Sequence, residues 1–536
     1  MRYNQLSCGC QFDNKDGQPQ MEFDVDNINL QCEETWDLIS SGHTTGLFQI
    51  DSGLGQTMSK QLKPRNIDHL AALIAIMRPS CLKGRLEDGK SIAQHFMDRK
   101  NGLEVAGCQY PVLEPILKNT YNLMIYQEQA IKIGQEIAGM SLQDSDHYIR
   151  YGIGKKKSDI IAKGKDIFLD GCKRVGKTNE DEAKSIWEWI ESAQRYQFNA
   201  GHSYSYAFTT YMTAVAKTHF TGRFFKSFLN HAHSKQKPLE EIKNLVLDSK
   251  AFNIDICNPD LRLKNKDFFE KDGHIFFGLE HIKEVGNTAT KALLGLVESL
   301  DLNSVCWTEL LFKTLLKVNK TAVKRLIGVG AMDYLKLDRK AMLHEHDVAL
   351  KLTKKEIEWI VTNLDLSKYK NILEIFQEIL SHDTGKNKPI SSKTRKNILK
   401  GLEHTLANPS FSTIFNIVEL VNWEKSFLGI ALSCSNLDLI SKSVCDTFIK
   451  EYSQGKNGKV KLIVELNNVK VIKTKEKQQE MAFISANDFS GVLNDIVAFP
   501  ETYEKYRSVL FENNCVLLVG KRGERDNFII LEAKQV

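Results

Sequence analysis

Hydrophobic residues recur at helical spacing along most of the chain before Gly455. Two sets show this spacing: Leu70, Leu73, Ile74 and Met77, and then Ala130, Ile133, Ile137 and Ala138. Each set falls on one face of a helix with 3.6 residues per turn. The pattern predicts a short helix over residues 33–40, a helical region from 67 to 229, and further helices interrupted by a short strand near Ile275.

Beyond Gly455 the hydrophobic residues alternate with polar ones, which is typical of strands with one buried face. The predicted elements are strands at 460–472, 481–486 and 492–499, a helix at 502–511, and strands at 515–520 and 527–533. Three strands, a helix and two strands is the order of the small barrel called the OB-fold. We therefore predict a multidomain, mainly α-helical chain with an all-β OB-fold barrel at its C-terminal end.

The chain is too long for one hydrophobic core, because single cores stop growing at about 250–300 residues. The pattern divides its 536 residues into a leading segment (1–45), a helical domain (46–230), a second helical region with glycine turns (231–340), a helical linker region (341–454) and the barrel (455–536). The composition, 42% hydrophobic and 26% charged, excludes a wholly disordered chain.

The net charge, the length of the apolar runs and the cysteine content restrict the classes of protein to which this chain could belong. The net charge of +5 permits nucleic-acid binding without requiring it. No apolar leader follows Met1, and no run approaches the roughly 18 apolar residues of a membrane span. We therefore expect a soluble, cytoplasmic protein that does not bind membranes. The 11 scattered cysteines are interpreted as reduced thiols. Cys8 and Cys10 could begin a zinc site, but no second close pair follows, which favours free thiols.

The highest density of positive charge lies between residues 150 and 177, where nine cations accompany three aspartates. The cations are Arg150, Lys155, Lys156, Lys157, Lys163, Lys165, Lys173, Arg174 and Lys177. Donors that converge from two helices joined by a glycine turn suit a triphosphate or a nucleic-acid backbone. Gly152 and Gly154 would let such a turn approach its ligand closely. The alternative is a solvated helix whose lysines serve solubility.

A second segment, residues 196–207, combines aromatic side chains with His202 and small residues. Aromatic rings beside hydrogen-bonding groups suit stacking on nucleic-acid bases. The alternative is that Tyr204, Phe208 and Tyr211 belong to the core and that His202 is a buried histidine with satisfied partners.

These segments occur in an order that resembles the alpha subunit of bacterial DNA polymerase III, a C-family replicative polymerase. The matching stretches are Thr44-Thr45-Gly46-Leu47-Phe48-Gln49, Arg78-Pro79, Phe96-Met97-Asp98-Arg99-Lys100, Leu113-Glu114-Pro115-Ile116-Leu117, Tyr126-Gln127-Glu128-Gln129, Gly154-Lys155-Lys156-Lys157, Phe198-Asn199 and His202-Ser203. One of these motifs alone would carry little weight, but the ordered series is specific.

The resemblance implies that residues 46–230 form the fingers domain, which closes over the incoming nucleotide. It assigns nucleotide binding to Arg150, Lys155, Lys156, Lys157 and His202. Further fingers-motif residues are Arg78, Tyr126, Gln127, Glu128 and Asn199. The chain departs from the family at Tyr151, where a second arginine is usual, and at Ala200, where lysine is usual. Lys155 or Lys156 would then substitute for the missing arginine in a divergent member.

The resemblance continues downstream of the fingers. Residues 278–287 resemble a helix-hairpin-helix element, in which backbone amides at a glycine turn hold a phosphate of duplex DNA. The implied DNA-binding residues are Lys283, Gly286 and Lys291 in this region and Lys461, Lys470 and Lys473 in the barrel, with Phe483 beside them. Residues 326–333 resemble the end of a unit that contacts the sliding clamp. Residues 377–380, Gln-Glu-Ile-Leu, are a candidate clamp-binding peptide or an ordinary amphipathic helix.

In the family, the carboxylates that hold two divalent ions for phosphoryl transfer lie in a palm domain upstream of these matches. We therefore expect no catalytic residue and no metal site here, with Mg²⁺ held by a separate chain that carries the palm and phosphoesterase domains. Asp24 and Asp26 imitate an Asp-x-Asp metal pair, but their position directly before the fingers favours a linker strand. His231 and His233 are interpreted as a helix end.

The sequence thus predicts the fingers and DNA-binding half of a DNA-directed DNA polymerase, a nucleotidyltransferase that acts in DNA replication. Its partners would be primer-template DNA, dNTPs, the palm-bearing chain and the sliding clamp. The alternative is a non-catalytic DNA-binding replication accessory protein. A stand-alone nuclease is disfavoured, since no carboxylate or histidine cluster is evident.

Overall fold

The computed structural model describes residues 28–536, except 79–80, 83, 86–87, 195–196, 387, 411, 413, 441–444, 454, 457, 475–476 and 524–526. Cys8, Cys10, Asp24 and Asp26, named above as candidate metal ligands, lie outside the described residues. The chain folds as two compact units, one ending at Phe220 and the other beginning at Thr221.

The first unit is built from helices joined by short turns. They are α1 (Glu33–Ser41), α2 (Gly53–Leu62), α3 (Ile67–Ile76), α4 (Ile92–Lys100), α5 (Glu114–Leu117), α6 (Gln127–Ala138), α7 (Ser158–Val175), α8 (Glu180–Gln194) and α9 (Ala200–His219). Between α6 and α7, a single turn (Leu142–Asp144) continues as a π-helix, Ser145–Ile153. Side chains of Ser52, Asn66 and Asn199 accept hydrogen bonds from amides of the first turn that follows, so their helices begin there.

The two predicted hydrophobic faces of this unit are buried. Leu70, Leu73 and Ile74 of α3 have at most 1% of their surface exposed. The face of α6 packs into a cluster centred on Trp187 of α8. A Cβ atom on Gly171 would lie 2.1 Å from the Ala138 carbonyl oxygen, so glycine allows α7 to cross the end of α6 closely. This packing fixes the π-helix and the turn that follows it.

The second unit combines helices with a small sheet and a barrel. Its helices before the barrel are α10 (Thr221–His231), α11 (Pro238–Ser249), α12 (Gly286–Val297), α13 (Trp307–Lys317), α14 (Lys320–Gly328), α15 (Arg339–Ala349), α16 (Lys354–Asn363), α17 (Ile372–Ser381), α18 (Lys393–Ala407), α19 (Ile417–Leu428) and α20 (Ile449–Ser453). Strands β1 (Ile256–Cys257), β2 (Phe269–Lys271) and β3 (His274–Phe276) form a sheet in the order β1-β3-β2, and β3 matches the strand predicted near Ile275. Among the described helices, none is long and apolar enough to cross a membrane.

The C-terminal strands close into a five-stranded barrel, which confirms the predicted fold class. The elements are β4 (Lys459–Lys473), β5 (Glu480–Asn487), β6 (Val492–Ala498), α21 (Pro500–Tyr506), β7 (Cys515–Arg522) and β8 (Phe528–Gln535). The order around the barrel is β4-β5-β6-β8-β7, and only the β6–β8 pairing among these five strands is parallel. The predicted helix at 502–511 ends early, at Tyr506, because Leu510 enters the barrel core.

A buried ion pair joins distant helices of the second unit. Arg339 of α15 donates to Glu424 of α19 over 2.6 Å and to Asp333 over 2.5 Å. Glu424 is fully buried and also accepts from the backbone amides of Leu432 and Ser433. The predicted clamp-proximal segment 326–333 therefore includes a carboxylate that acts here as an internal contact.

Candidate nucleotide and DNA interface

The segment 126–129 joins α6 to the start of α9 through hydrogen bonds. The Glu128 carboxylate accepts from Asn199 Nδ2 at 2.6 Å and from the Ala200 amide at 2.9 Å. The Gln127 amide donates to the Phe198 carbonyl over 3.0 Å. A carboxylate at a helix N-terminus is favoured by the helix dipole and by the free amides there. Glu128 and Asn199 therefore form an internal joint, and the start of α9 already holds an anionic group.

The remaining residues of this segment are also directed inward. Gln129 accepts from the amides of Ile125 and Tyr126 and donates to Thr120 Oγ1, all within 2.9 Å. Tyr126 is 6% exposed, and its burial raises the pKa of its hydroxyl. These contacts fix the backbone before α6.

An aromatic row begins beside this joint and follows α9. The Arg78 guanidinium lies 4.5 Å from the centre of the Phe198 ring. The His202 ring lies 5.4 Å from Phe198 and 3.8 Å from Tyr206, whose ring is 5.0 Å from Phe48. His202 is exposed, so the row presents tilted and edge-on rings to solvent near the start of α9.

The two interpretations of residues 196–211 each apply to part of the segment. Tyr211 is fully buried, as expected of core. Tyr204 donates to Asp68 over 2.7 Å, and Phe208 remains 44% exposed. The alternative of a buried His202 does not match the structure, because this residue is exposed in the first turn of α9.

Arg150 lies in the π-helix and is engaged by a carboxylate of the same helix. Its Nε and Nη2 atoms donate to Asp146 Oδ1 and Oδ2 at 2.5 and 2.8 Å. These hydrogen bonds, with the charges of Asp146 and Glu128, raise the pKa of Arg150. A phosphate would have to compete with Asp146 for this arginine.

The three lysines after the π-helix differ from Arg150 in their pairing with carboxylates. Lys155, Lys156 and Lys157 are exposed on the turn between the π-helix and α7. Lys156 has a φ angle of +52°, in the left-handed region that closes tight turns. Within the described part of the chain, no carboxylate forms an ion pair with any of the three ammonium groups. This turn is an unneutralised cationic site.

The basic segment does not continue as one cationic stripe along α7. Asp159, Asp166 and Asp170 are exposed on the solvent side of α7, and the last two lie between Lys163 and Arg174. That part of the segment matches the alternative of a solvated helix. A Cβ on Gly152 would meet Ile160 at 2.7 Å, so this glycine serves close packing, whereas Gly154 has open space around it.

The helix-hairpin-helix region presents a helix start to solvent. Helix α12 begins at Gly286, which has a φ angle of +65°, and residues 286–288 are exposed. Lys283 and Lys291 are exposed on either side of this start. Free amides at a helix N-terminus together with flanking lysines suit a phosphate of a nucleic-acid backbone.

The barrel does not bring its three predicted lysines together. Lys470 lies directly opposite Phe483 in the β4–β5 register, so both side chains occupy one outer face. Lys473 is opposite Glu480, and Lys461 is opposite Val519 on the other neighbouring strand. Sequence reasoning did not name Lys521, an exposed lysine of β7 that lies directly opposite Lys459 of β4. The register of the paired strands identifies this lysine, and that register cannot be read directly from the sequence.

Two further candidates belong to the helical scaffold. Residues 377–380 lie inside α17, where Ile379 is 1% exposed, as expected of the amphipathic-helix alternative. His231 ends α10, and the His233 ring packs against His281. Among the residues that the structure describes, no three His, Cys, Asp or Glu side chains are grouped so as to hold a metal ion.

Comparison with known proteins places these sites in two matched regions. Residues 11–176 match the family described as bacterial DNA polymerase III alpha subunit finger domain, and residues 253–342 match a helix-hairpin-helix motif. The first match includes Glu128, Arg150 and the lysine turn, and the second includes Lys283 and Gly286. Asn199 and His202 lie beyond the first match.

Whole-chain comparison extends the similarity. The chain is 34% identical over 324 residues to DNA polymerase III subunit alpha of Aquifex aeolicus, covering 60% of this chain and 27% of that protein. The same subunit of Borreliella burgdorferi is 28% identical over 96% of this chain and 42% of its own length. For Bacillus subtilis the identity is 26%, with the same coverage of both chains. The chain thus spans about two fifths or less of these relatives, and the resemblance predicted from the ordered motifs is confirmed.

Proposed function

We propose that this chain, which is similar over 96% of its length to the alpha subunit of bacterial DNA polymerase III, supplies the fingers and DNA-binding parts of a DNA-directed DNA polymerase in replication. The observation that carries the proposal is the exposed turn of Lys155, Lys156 and Lys157, which has no carboxylate partner in the described residues and lies within the finger-domain match. A turn of this kind suits the charge of a dNTP triphosphate.

The nucleotide would contact the lysine turn through its phosphates. Arg150 would join them by exchanging Asp146 for a phosphate oxygen, since both partners accept the same guanidinium donors. The exposed ring of His202, which packs against Tyr206 at a tilt of 49°, would offer a surface to the base. Because Tyr151 replaces the usual second arginine, the lysines would provide most of the positive charge.

DNA would be held at two sites of the second unit. The exposed start of α12, with Lys283 and Lys291, would contact the duplex backbone through amides and ammonium groups. The barrel face of Lys470 and Phe483 would combine a phosphate contact with a ring for an unpaired base. The sliding clamp is a further expected partner, for which the described residues offer no exposed binding peptide at 377–380.

The catalytic ions are proposed to lie on another chain. Among the described residues, no three His, Cys, Asp or Glu side chains are grouped so that they could hold a metal ion. A separate palm-bearing chain would hold Mg²⁺ through its aspartates, and this chain would bind and orient the nucleotide and the template.

Primer extension tests the proposal. The chain is assayed with Mg²⁺ and four dNTPs, alone and with a palm-bearing polymerase chain, and compared with Arg150→Ala and with Lys163→Ala as a matched control from α7. Synthesis that needs both chains and falls only in Arg150→Ala would support the split polymerase. Synthesis by this chain alone would refute the assignment of the aspartates to a partner.

The second candidate is a non-catalytic DNA-binding accessory protein. The occupation of the Arg150 side chain by Asp146 favours it, because a protein without nucleotide substrate needs no free arginine there. Duplex binding without synthesis under either condition, and without any effect of dNTPs on DNA affinity, would establish this alternative.

A further inference from the structure

The turn before α12 contains a residue in an unfavourable backbone conformation. The Val285 amide donates to the Ile282 carbonyl over 3.1 Å and closes a four-residue turn. Its third residue, Glu284, has a φ angle of +69°. A type II turn requires positive φ at this position, where glycine is usual. For an L-residue with a Cβ the left-handed region is disfavoured, so other contacts must hold Glu284 there.

One arginine contacts this glutamate from a distant helix. Arg325 of α14 donates from Nε and Nη2 to Glu284 Oε2 over 2.9 and 2.8 Å. The guanidinium carbon lies 4.0 Å from the ring centre of Phe427 and 5.6 Å from that of Trp423, both on α19. The aromatic rings restrict the guanidinium on one side, and so Arg325 presents fixed donors to Glu284.

Helix α19 also holds the backbone of this turn. The Lys283 amide donates to the Phe427 carbonyl over 3.0 Å. The residue before Glu284 and the side chain of Glu284 are therefore both anchored at Phe427, one directly and one through Arg325. Gly286 follows two residues later and begins α12.

We propose that Arg325 is a positioning residue: it holds Glu284 in the left-handed conformation and thereby keeps the start of α12 in the geometry that binds duplex DNA. This inference rests on the proposed duplex contact at Gly286. If Glu284 returned to negative φ, the chain entering Gly286 would change direction, and its amides would no longer converge on one phosphate.

A direct phosphate contact by Arg325 is the competing explanation. Two features oppose it: the Arg325 side chain is only 19% exposed, and two of its donor atoms already serve Glu284. The two explanations differ in what glycine does at position 284, because glycine adopts positive φ at little cost.

The test compares Glu284→Ala with Glu284→Gly in the full chain, using a fluorescent 20-base-pair DNA duplex. Both variants lose the same charge and the same contact with Arg325, and they differ only in the cost of positive φ. We expect Glu284→Ala to bind the duplex about five- to tenfold more weakly than Glu284→Gly. Equal affinities of the two variants would overturn the inference.

A second experiment introduces Arg325→Ala into the wild-type chain and into the Glu284→Gly variant, and it measures the duplex affinity of each. We expect weaker duplex binding in the first background only, with an unchanged slope of log affinity against log salt, because no phosphate contact is lost. A loss of equal size in both backgrounds, or a slope lower by about one, would show that Arg325 acts directly and would overturn the inference. Wild-type chain that fails to bind the duplex at all would instead refute the proposed function.

Discussion

Two motif segments of the first unit resemble the same family and use their polar groups in opposite ways. In residues 126–129 the side chains of Gln127, Glu128 and Gln129 are hydrogen-bonded within the protein, with Glu128 joined to Asn199 and Ala200. In residues 155–157 three lysines extend into solvent without carboxylate partners among the described residues. Resemblance alone therefore does not identify a ligand contact. The state of pairing separates residues that build the first unit from residues whose charge is available to a ligand.

The largest expected effect concerns the lysine turn. Replacing Lys155, Lys156 and Lys157 together by alanine should weaken dNTP binding by about a hundredfold or more, because each charge-assisted contact is worth roughly 1.5–3 kcal/mol. The urea midpoint should not change, since the three side chains form no hydrogen bond or ion pair with any residue that the structure describes. Fluorescence anisotropy of a labelled dNTP measures the affinity. Unchanged affinity would mean that unpaired cations in this unit do not mark the nucleotide site.

In contrast to the triple lysine variant, Glu128→Ala is expected to lower stability. Loss of a charged cap at the start of α9 should lower the free energy of unfolding by about 1–2 kcal/mol. Glu136→Ala is the matched control on α6, because Glu136 makes only an exposed ion pair with Lys132 at 3.5 Å, and its effect should stay within about 0.5 kcal/mol. Urea denaturation of both variants measures the difference. If the two variants were equally stable, the internal role assigned to residues 126–129 would be wrong.

The sequence predicts the elements because their signals are local. Alternation from Val460 onward predicts β4, and helical spacing predicts the buried faces of α3 and α6, since each signal depends on neighbours a few residues apart. The pairing of polar groups is not local in this way. Glu128 and Asn199 are 71 residues apart, and Glu284 and Arg325 are 41 apart. Which cations stay unpaired, and hence which are candidate ligand contacts, follows only from the folded chain.

The pH dependence of stability tests whether an inward-directed group of the first unit contributes to its folding. Burial, together with the charge of Lys100, lowers the pKa of His69 from its ordinary 6.5 to about 4, although Asp68 opposes the shift. The unfolded chain would take up this proton near pH 6.5 and the folded chain only near pH 4, so stability falls as pH decreases between these values. Below about pH 4 the loss levels off.

The variant His69→Gln isolates this contribution. Gln lacks the titrating group yet can still bond Tyr121, whose hydroxyl lies 2.9 Å from His69 Nε2. We expect the urea midpoint of the wild type to fall further than that of the variant between pH 7 and pH 4.5. Parallel curves would show that His69 is protonated equally in the folded and unfolded chains.

The smallest expected effect concerns Arg150. This residue is exposed, like the lysines of residues 155–157, but it is paired with a carboxylate, like the polar side chains of residues 126–129. An exposed ion pair of this i,i+4 type is worth only about 0.3–0.5 kcal/mol, so Asp146→Asn should leave the urea midpoint nearly unchanged. If Arg150 binds the triphosphate, Asp146 competes with it, and removing that charge should strengthen dNTP binding by about twofold. In Arg150→Ala the same substitution should have no effect, because the competition is gone. Weaker binding in Asp146→Asn would instead show that Asp146 holds Arg150 in its binding orientation, and pairing in an exposed cation would then not argue against ligand contact.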